Sequence, residues 1–363
     1  MPRQWADVQS HPLTPCIKSD RSMHRPIAVR PTLAFAFDPE RYAGALDSRD
    51  LARLAAIADI LDDEPMQTYH DARAARLLAD ADILVTGWRA PLLDRAALEM
   101  APRLKLVGHL AATVKQFLSE DVWHRGISVT AAVNAVALPV VEFTLASIIF
   151  AAKRAFAQSQ QYRQHREISY GGRVTHDCGL LGKTIGILGA SRVGLRVIER
   201  LQDYDMDVLV YDPFLAREHA IALGAEKVDN LDDMIGRCDI LSVHAPITDE
   251  TINILDARRL ALLQNGATLI NTARGVLIDH TALVQELISG RISASLDVTY
   301  PEPLPSDSPL FDLPNVFLTP HIAGPQGSER RRMLTAIIND IERYVAGKPL
   351  LGDVARTSLA RIG

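Results

Sequence analysis

The chain has 363 residues, 48% of them hydrophobic and 23% charged, with a formal net charge of −5. That length allows two domains with ample core, and the mixture is that of a globular protein. The mild acidity and lack of a basic stripe exclude nucleic acid as a main partner, and three cysteines (Cys16, Cys178, Cys238) in no paired spacing exclude a zinc cage or disulfide framework and fit a reducing cytoplasm.

In chain order, residues 1–22 are polar, carry three prolines and lack an apolar signal core. They are expected to form a poorly ordered extension ahead of Met23, or else an arm on a partner subunit. Ile27-Ala28-Val29 then opens a strand-like run, and Leu33 to Phe37 reads as a strand. Asp47 to Leu61 has apolar residues at helical spacing. Ile83 to Thr86 and Leu104 to Val107 read as strands, with a helix over Pro91 to Met100 between them. This alternation predicts a parallel sheet. Glu142 to Gln158 is read as one long helix. Its apolar run, Phe143 to Ala152, is interrupted by Thr144 and Ser147, and no run is read as long enough to cross a bilayer.

A second alternating series starts after Gly179. Its strands are Thr184–Leu188, Asp207–Tyr211, Ile240–Val243, Thr268–Ile270, Ala294–Leu296 and Val316–Leu318, which matches a doubly wound sheet. A tail helix over Gly327 to Ala346, with a basic start at Arg330, Arg331 and Arg332, is expected to return to the first domain. The fold class is therefore α/β, with two Rossmann-like or flavodoxin-like domains built on doubly wound parallel sheets. Residues 23–132 and 326–363 form a discontinuous first domain, 133–325 are inserted into it, and a cleft lies between.

The strand ending at Leu188 runs into Gly189-Ala190-Ser191-Arg192-Val193-Gly194, a GxGxxG pattern with serine at the second glycine. Such a turn brings backbone amides and a helix N-terminus against a pyrophosphate. The Ser191 hydroxyl either bonds a phosphate oxygen or is merely tolerated. Asp212 stands 23 residues after Gly189, at the end of the next strand. There a carboxylate meets ribose hydroxyls and repels an extra phosphate, so the cofactor is expected to be NAD. This makes 133–325 the NAD-binding domain and the remainder the substrate domain.

Three residues follow in order: Arg274 in Asn-Thr-Ala-Arg-Gly, Glu302 between Pro301 and Pro303, and His321 in Thr-Pro-His-Ile-Ala-Gly. A guanidinium clamps a carboxylate through two parallel hydrogen bonds. A histidine exchanges a proton near neutral pH, and a carboxylate orients it. Together they suit hydride transfer at a carbon beside a carboxylate, with no metal required.

With Gly182–Gly189 and Ser242-Val243-His244-Ala245-Pro246, these segments resemble the D-isomer-specific 2-hydroxyacid dehydrogenases. The resemblance covers roughly Leu104 to Gly324. It implies that Arg274 binds a 2-oxo acid carboxylate, that His321 is the acid in reduction and the base in oxidation, and that Glu302 fixes the His321 tautomer and favours its charged form. It places Asp297 on the nicotinamide amide, Arg192 and Val193 on the pyrophosphate and Asp212 on the ribose. Pro246, Thr272 and Gly324 are expected to line the cofactor cleft with His244, for which satisfying a backbone carbonyl is an equal alternative. The resemblance also implies a homodimer through the NAD-binding domain.

The departures lie on the substrate side. Where the family often has a glycine-rich loop that receives the carboxylate, this chain has His109-Leu110-Ala111-Ala112-Thr113-Val114-Lys115. The amides of Ala111 and Ala112 are still available for a carboxylate. Lys115 and His109 either meet a second anionic or polyhydroxy end of the substrate or face solvent. Trp88 either walls the pocket or packs structurally. The function expected is interconversion of a small 2-oxo acid and a D-2-hydroxy acid. The alternative is an NAD(H)-sensing protein like the corepressors that share the fold. Formate dehydrogenases, which carry glutamine at the position of Glu302, are disfavoured.

Overall fold

The computed structural model describes residues 30–42, 47–166 and 178–361. The expected extension at 1–22 and the strand at 27–29 lie outside those residues. In chain order the first part contains β1 (Thr32–Ala36), α1 (Ser48–Ile57), β2 (Asp59–Ile60), α2 (Ala72–Asp80), β3 (Ile83–Thr86), α3 (Arg95–Glu99), β4 (Leu106–His109), α4 (Asp121–His124) and β5 (Ser128–Ala131). All five strands pair in parallel, in the order β2-β1-β3-β4-β5. β1, β3 and β4 are almost wholly buried, as expected of a parallel sheet covered by helices on both faces. Aspartates start three of the helices, Asp47 in a capping box with Asp50, and Asp71 and Asp94 at α2 and α3.

Two helices follow, α5 (Val133–Ala152) and α6 (Ala155–His165). The second series is β6 (Lys183–Leu188), α7 (Arg192–Leu201), β7 (Met206–Tyr211), α8 (Arg217–Ala222), β8 (Glu226–Lys227), α9 (Leu231–Arg237), β9 (Ile240–Val243), α10 (Ala257–Leu262), β10 (Thr268–Asn271), α11 (His280–Ile288), β11 (Ser293–Leu296) and β12 (Val316–Leu318). Its seven parallel strands run β12-β11-β10-β9-β6-β7-β8, a doubly wound order whose direction reverses between β6 and β9. Ligands bind at such a switch point, beyond the carboxyl ends of the strands.

The tail helix α12 (Arg330–Val345) packs Met333, Leu334, Ile337, Ile338 and Ile341 against Leu33, Phe35, Val85 and Leu106 of the first sheet. The second sheet lies wholly within 183–318. A further segment docks beyond α12. The Asp340 carboxylate accepts from Leu351 N and Gly352 N at 2.8 Å, and Asp353 bridges Thr130 at the β5 edge.

Several expectations are corrected. The helix over 47–61 stops at Ile57, because Asp59 and Ile60 pair with Thr32 and Leu33 as an edge strand. The helix over 91–100 shrinks to Arg95–Glu99. The fourth strand starts at Leu106 rather than Leu104. The helix over 142–158 starts earlier, at Val133, and breaks where Arg154 takes a left-handed φ of 49°. The second sheet gains the short edge strand β8. The expectation that no apolar run reaches bilayer length is also corrected. α5 has 20 residues and a mean hydropathy of 2.1, enough to span by length and composition alone. It packs Val141, Ile148 and Ala152 against Ile185 and Ile187 of β6 and Val197 and Ile198 of α7, as a core helix does.

Candidate functional site

Arg274 is presented by a turn that β10 and its last residue build. The Asn271 side chain closes it, donating from Nδ2 to Arg274 O at 2.9 Å and accepting from Ala273 N at 3.0 Å. Gly275 is required next, since a Cβ there would lie 2.0 Å from Thr299 O. The Arg274 guanidinium donates only to Ala273 O, at 2.7 Å, among the described residues. Burial pushes it below its ordinary pKa, and the nearby Glu302 charge pushes back. A half-desolvated guanidinium with most of its donors free suits an incoming anion.

Glu302 and His321 meet directly, with Oε1 2.6 Å from Nδ1, and both side chains remain half exposed. His321 has a left-handed φ of 56°, unusual for a residue with a side chain. Asp297 holds it there. The Asp297 carbonyl accepts from His321 N at 2.9 Å. Its carboxylate accepts from Thr319 Oγ1 at 2.7 Å, Ile322 N at 2.8 Å and Ala323 N at 2.9 Å. Asp297 N donates in turn to Asn271 O at 3.0 Å, so the Arg274 and His321 segments share one buried bracket. Asp297, expected on the nicotinamide, accepts two of these bonds at Oδ1 and one at Oδ2, which leaves Oδ2 room for a further donor.

The glycine loop lies at the switch point of the second sheet. A Cβ on Gly189 would lie 2.6 Å from Ala245 N, and one on Gly194 would lie 2.1 Å from Gly189 O. The loop is therefore a tight backbone cradle. Ser191 N-caps α7, its hydroxyl accepting from Gly194 N at 3.3 Å. The first-turn amides of Arg192 and Val193 donate to no described residue, as helix geometry dictates. The Arg192 side chain bonds Asn134 Oδ1 at 3.0 Å. Asp212 closes the far side, accepting from Ala190 N and Phe214 N, both at 2.7 Å.

His244 lies buried beneath this loop. Its Nε2 is 2.8 Å from Ser242 Oγ, and its Nδ1 has no described partner. The backbone carbonyl expected as one alternative is thus replaced by a hydroxyl. Burial holds the imidazole neutral, its pKa down to about 3. Pro246 O accepts from Thr251 Oγ1, and Thr272 pairs with Thr144 of α5 at 2.8 Å. Gly324 has open space around its Cα. The free amides, the cradle and the orphaned His244 nitrogen fit a dinucleotide, with its pyrophosphate at the start of α7.

On the substrate side the loop after β4 keeps a row of unused donors. The amides of Ala111, Ala112, Thr113 and Val114 donate to no described residue. Lys115 is exposed. His109 departs from both readings given for it. It is fully buried, with Nδ1 2.8 Å from Thr86 Oγ1 and its ring 5.0 Å from that of Phe117, so it neither reaches a substrate nor faces solvent. Trp88 is half-buried, stacked on Tyr42 with centroids 5.4 Å apart, and Arg330 lies over its ring at 6.0 Å.

The family description "D-isomer specific 2-hydroxyacid dehydrogenase, NAD binding domain" matches residues 145–323. The chain is 35% identical to a glyoxylate reductase of Aeropyrum pernix, covering 70% of this chain and 78% of that protein. The chain belongs to the D-isomer-specific 2-hydroxyacid dehydrogenases. It is also 32% identical, over 75% of its length, to a D-3-phosphoglycerate dehydrogenase of Methanocaldococcus jannaschii, of which it spans about half (51%). The fold superposes on Rhodotorula graminis D-mandelate dehydrogenase with a TM-score of 0.75 at 23% identity, covering 90% of this chain and 98% of that one.

The family match contains the glycine loop, Arg274, Glu302 and His321. Sequence reasoning assigned no role to Asn271, Thr319, Ser242, Thr144, Asn134 or Tyr42. Asn271, Thr319 and Ser242 stand inside the functional motifs, where a polar residue beside a functional one is a usable signal. Tyr42 stands in no motif.

Proposed function

We propose that this protein is an NAD-dependent oxidoreductase that interconverts a small 2-oxo acid and a D-2-hydroxy acid. The observation that carries the reading is Arg274, a half-desolvated guanidinium with free donors, set beside the 2.6 Å Glu302–His321 pair. Arg274 clamps the substrate carboxylate and, with the amide row at 111–114, turns the carbonyl toward His321. Nδ1–H of His321 donates to Glu302, which fixes the ring and leaves Nε2–H for the carbonyl oxygen. When bound, NADH supplies the hydride to the carbonyl carbon. His321 delivers the proton to oxygen, and Arg274 stabilises the charge developing there. Oxidation runs the same path backwards, with neutral His321 taking the hydroxyl proton. Asp212 selects NAD through the ribose hydroxyls, while Lys115 and Trp88 bound the distal end of the substrate.

The same reading includes a homodimer. α5 leaves Phe150 47% exposed, edge-on to Phe156 of α6 with centroids 5.4 Å apart, and Phe156 stacks on Phe317 at 3.9 Å. Light scattering tests it, and a monomer at micromolar concentration sinks it.

The deciding assay is NADH oxidation against glyoxylate, hydroxypyruvate, pyruvate, phenylpyruvate and 2-oxoglutarate, with His321→Ala beside the wild type. Turnover is expected on at least one acid. His321→Ala should abolish it while binding NADH within about threefold of wild type, since His321 acts on the proton and not on the cofactor. Silence across the panel, with NADH bound, would overturn the reading and favour an NAD(H)-sensing role.

A further inference from the structure

We propose that Tyr42 is a positioning residue that locks the loops after β3 and β4 into one pre-formed substrate surface, with His109 as a second brace. The inference rests on the proposed function, which places substrate against those two loops.

Tyr42 follows β1 at the switch point of the first sheet, where strand order reverses between β1 and β3. It is 4% exposed. Its hydroxyl accepts from Trp88 N at 3.1 Å and donates to Leu110 O at 2.7 Å. One oxygen thus bridges the two loops, and the ring stacks on Trp88 while meeting Phe37 edge-on at 5.0 Å. The second bridge lies one layer deeper. His109 Nδ1 pairs with Thr86 Oγ1, and Leu110 N donates to Thr86 O at 2.8 Å. Ala132 N closes the base, donating to both His109 O and Ala111 O at 3.0 Å. Anchors therefore hold residues 109–111, at the start of the loop, while the amides of 111–114 stay unused.

That arrangement has a chemical purpose. A row of amides binds a carboxylate well only if it is already ordered, because ordering a loop on binding subtracts from affinity. Ala111 and Ala112 replace the expected glycines and stiffen the backbone from within. The two braces fix it from outside. Tyr42 is not an acid or base in the reaction. Its proton and a lone pair are committed, and burial holds its hydroxyl above the ordinary phenol range, with the Trp88 amide opposing. A tyrosine present only for packing would need its ring and not its oxygen, so Tyr42→Phe separates the two roles.

The test compares wild type with Tyr42→Phe and with Thr86→Val, which removes the partner of His109. It measures KM and kcat for the best acid of the panel, NADH affinity by fluorescence, and hydrogen–deuterium exchange over 86–90 and 110–118. Each variant is expected to raise the acid KM about five- to thirtyfold, as one or two lost hydrogen bonds imply. NADH affinity and kcat should stay within about threefold. In Tyr42→Phe, exchange should quicken in both loops together. An unchanged acid KM, or a rise matched by an equal loss of NADH affinity, would overturn the proposal. If wild type turns over no acid, the proposed function falls. Exchange then judges the brace alone, and a Tyr42→Phe protein whose two loops do not loosen together refutes it.

Discussion

Asp297→Asn tests how the fold holds the candidate acid in place. The carboxylate accepts three hydrogen bonds, from Thr319 Oγ1, Ile322 N and Ala323 N, at 2.7 to 2.9 Å. In asparagine one acceptor becomes a donor. The least costly placement turns the new NH2 toward Ala323, which is 3% exposed. One charge-assisted bond is lost, a buried amide is left unpaired, and the two surviving bonds lose their charge. That sums to about 2–4 kcal/mol. Part should appear as lost stability. The rest should appear as displacement of His321, whose left-handed backbone depends on this bracket. A shift of about 1 Å at a proton donor costs roughly a hundredfold in rate. Urea unfolding should therefore show about 2 kcal/mol or more of destabilisation, and kcat/KM should fall about a hundredfold, with NADH affinity changed less than about threefold. Wild-type stability and turnover would refute the bracket. So would a collapse in NADH affinity at unchanged kcat, the outcome expected if Asp297 acts on the nicotinamide alone.

Gly275→Ala would place a Cβ 2.0 Å from Thr299 O and 2.1 Å from Thr299 C, both backbone atoms. Stability should drop by about 3 kcal/mol in denaturant, and activity should be lost as the Arg274 turn is pushed from the Glu302 segment; a variant as stable as wild type would contradict the geometry. His109 and His244 are both held by burial at about 3, against an ordinary 6.5. Between those values the unfolded chain binds a proton at each and the folded chain binds none, so their contribution is complete above about pH 7 and lost on acidification. Stability should fall by about 1.4 kcal/mol per pH unit for each histidine below roughly pH 6, read from urea midpoints at pH 7, 6 and 5. Replacing either with glutamine should remove its share of the slope; a flat profile in wild type would show that neither is buried neutral. Asp212→Ala should raise the NADP-to-NAD ratio of kcat/KM about tenfold or more, since it removes the charge that repels a 2′-phosphate; an unchanged ratio would move the ribose contact elsewhere.

Local pattern alone specified much of this protein. Continuous apolar runs bounded by polar turns marked β1, β3 and β6, because a strand buried on both faces has no alternative. The glycine loop was legible because Gly189 and Gly194 leave no room for a Cβ, and the ordered motifs around Arg274, Glu302 and His321 pointed to the chemistry proposed. Tertiary contacts decided the rest. β2 and β8 are two residues each, too short for a periodic signal, and exist only because β1 and β7 offer an edge. The α5–α6 break at Arg154 left no proline or glycine to announce it. Both readings of His109, contact with the far end of a substrate or exposure to solvent, fail because the Thr86 and Phe117 contacts bury it. The Asp297 bracket joins residues up to 26 positions apart, and the Tyr42 bridge spans 68. A hydrogen bond of that range leaves no periodicity in the chain. It forms only after parallel strands have brought their carboxyl ends together, and that juxtaposition builds the site.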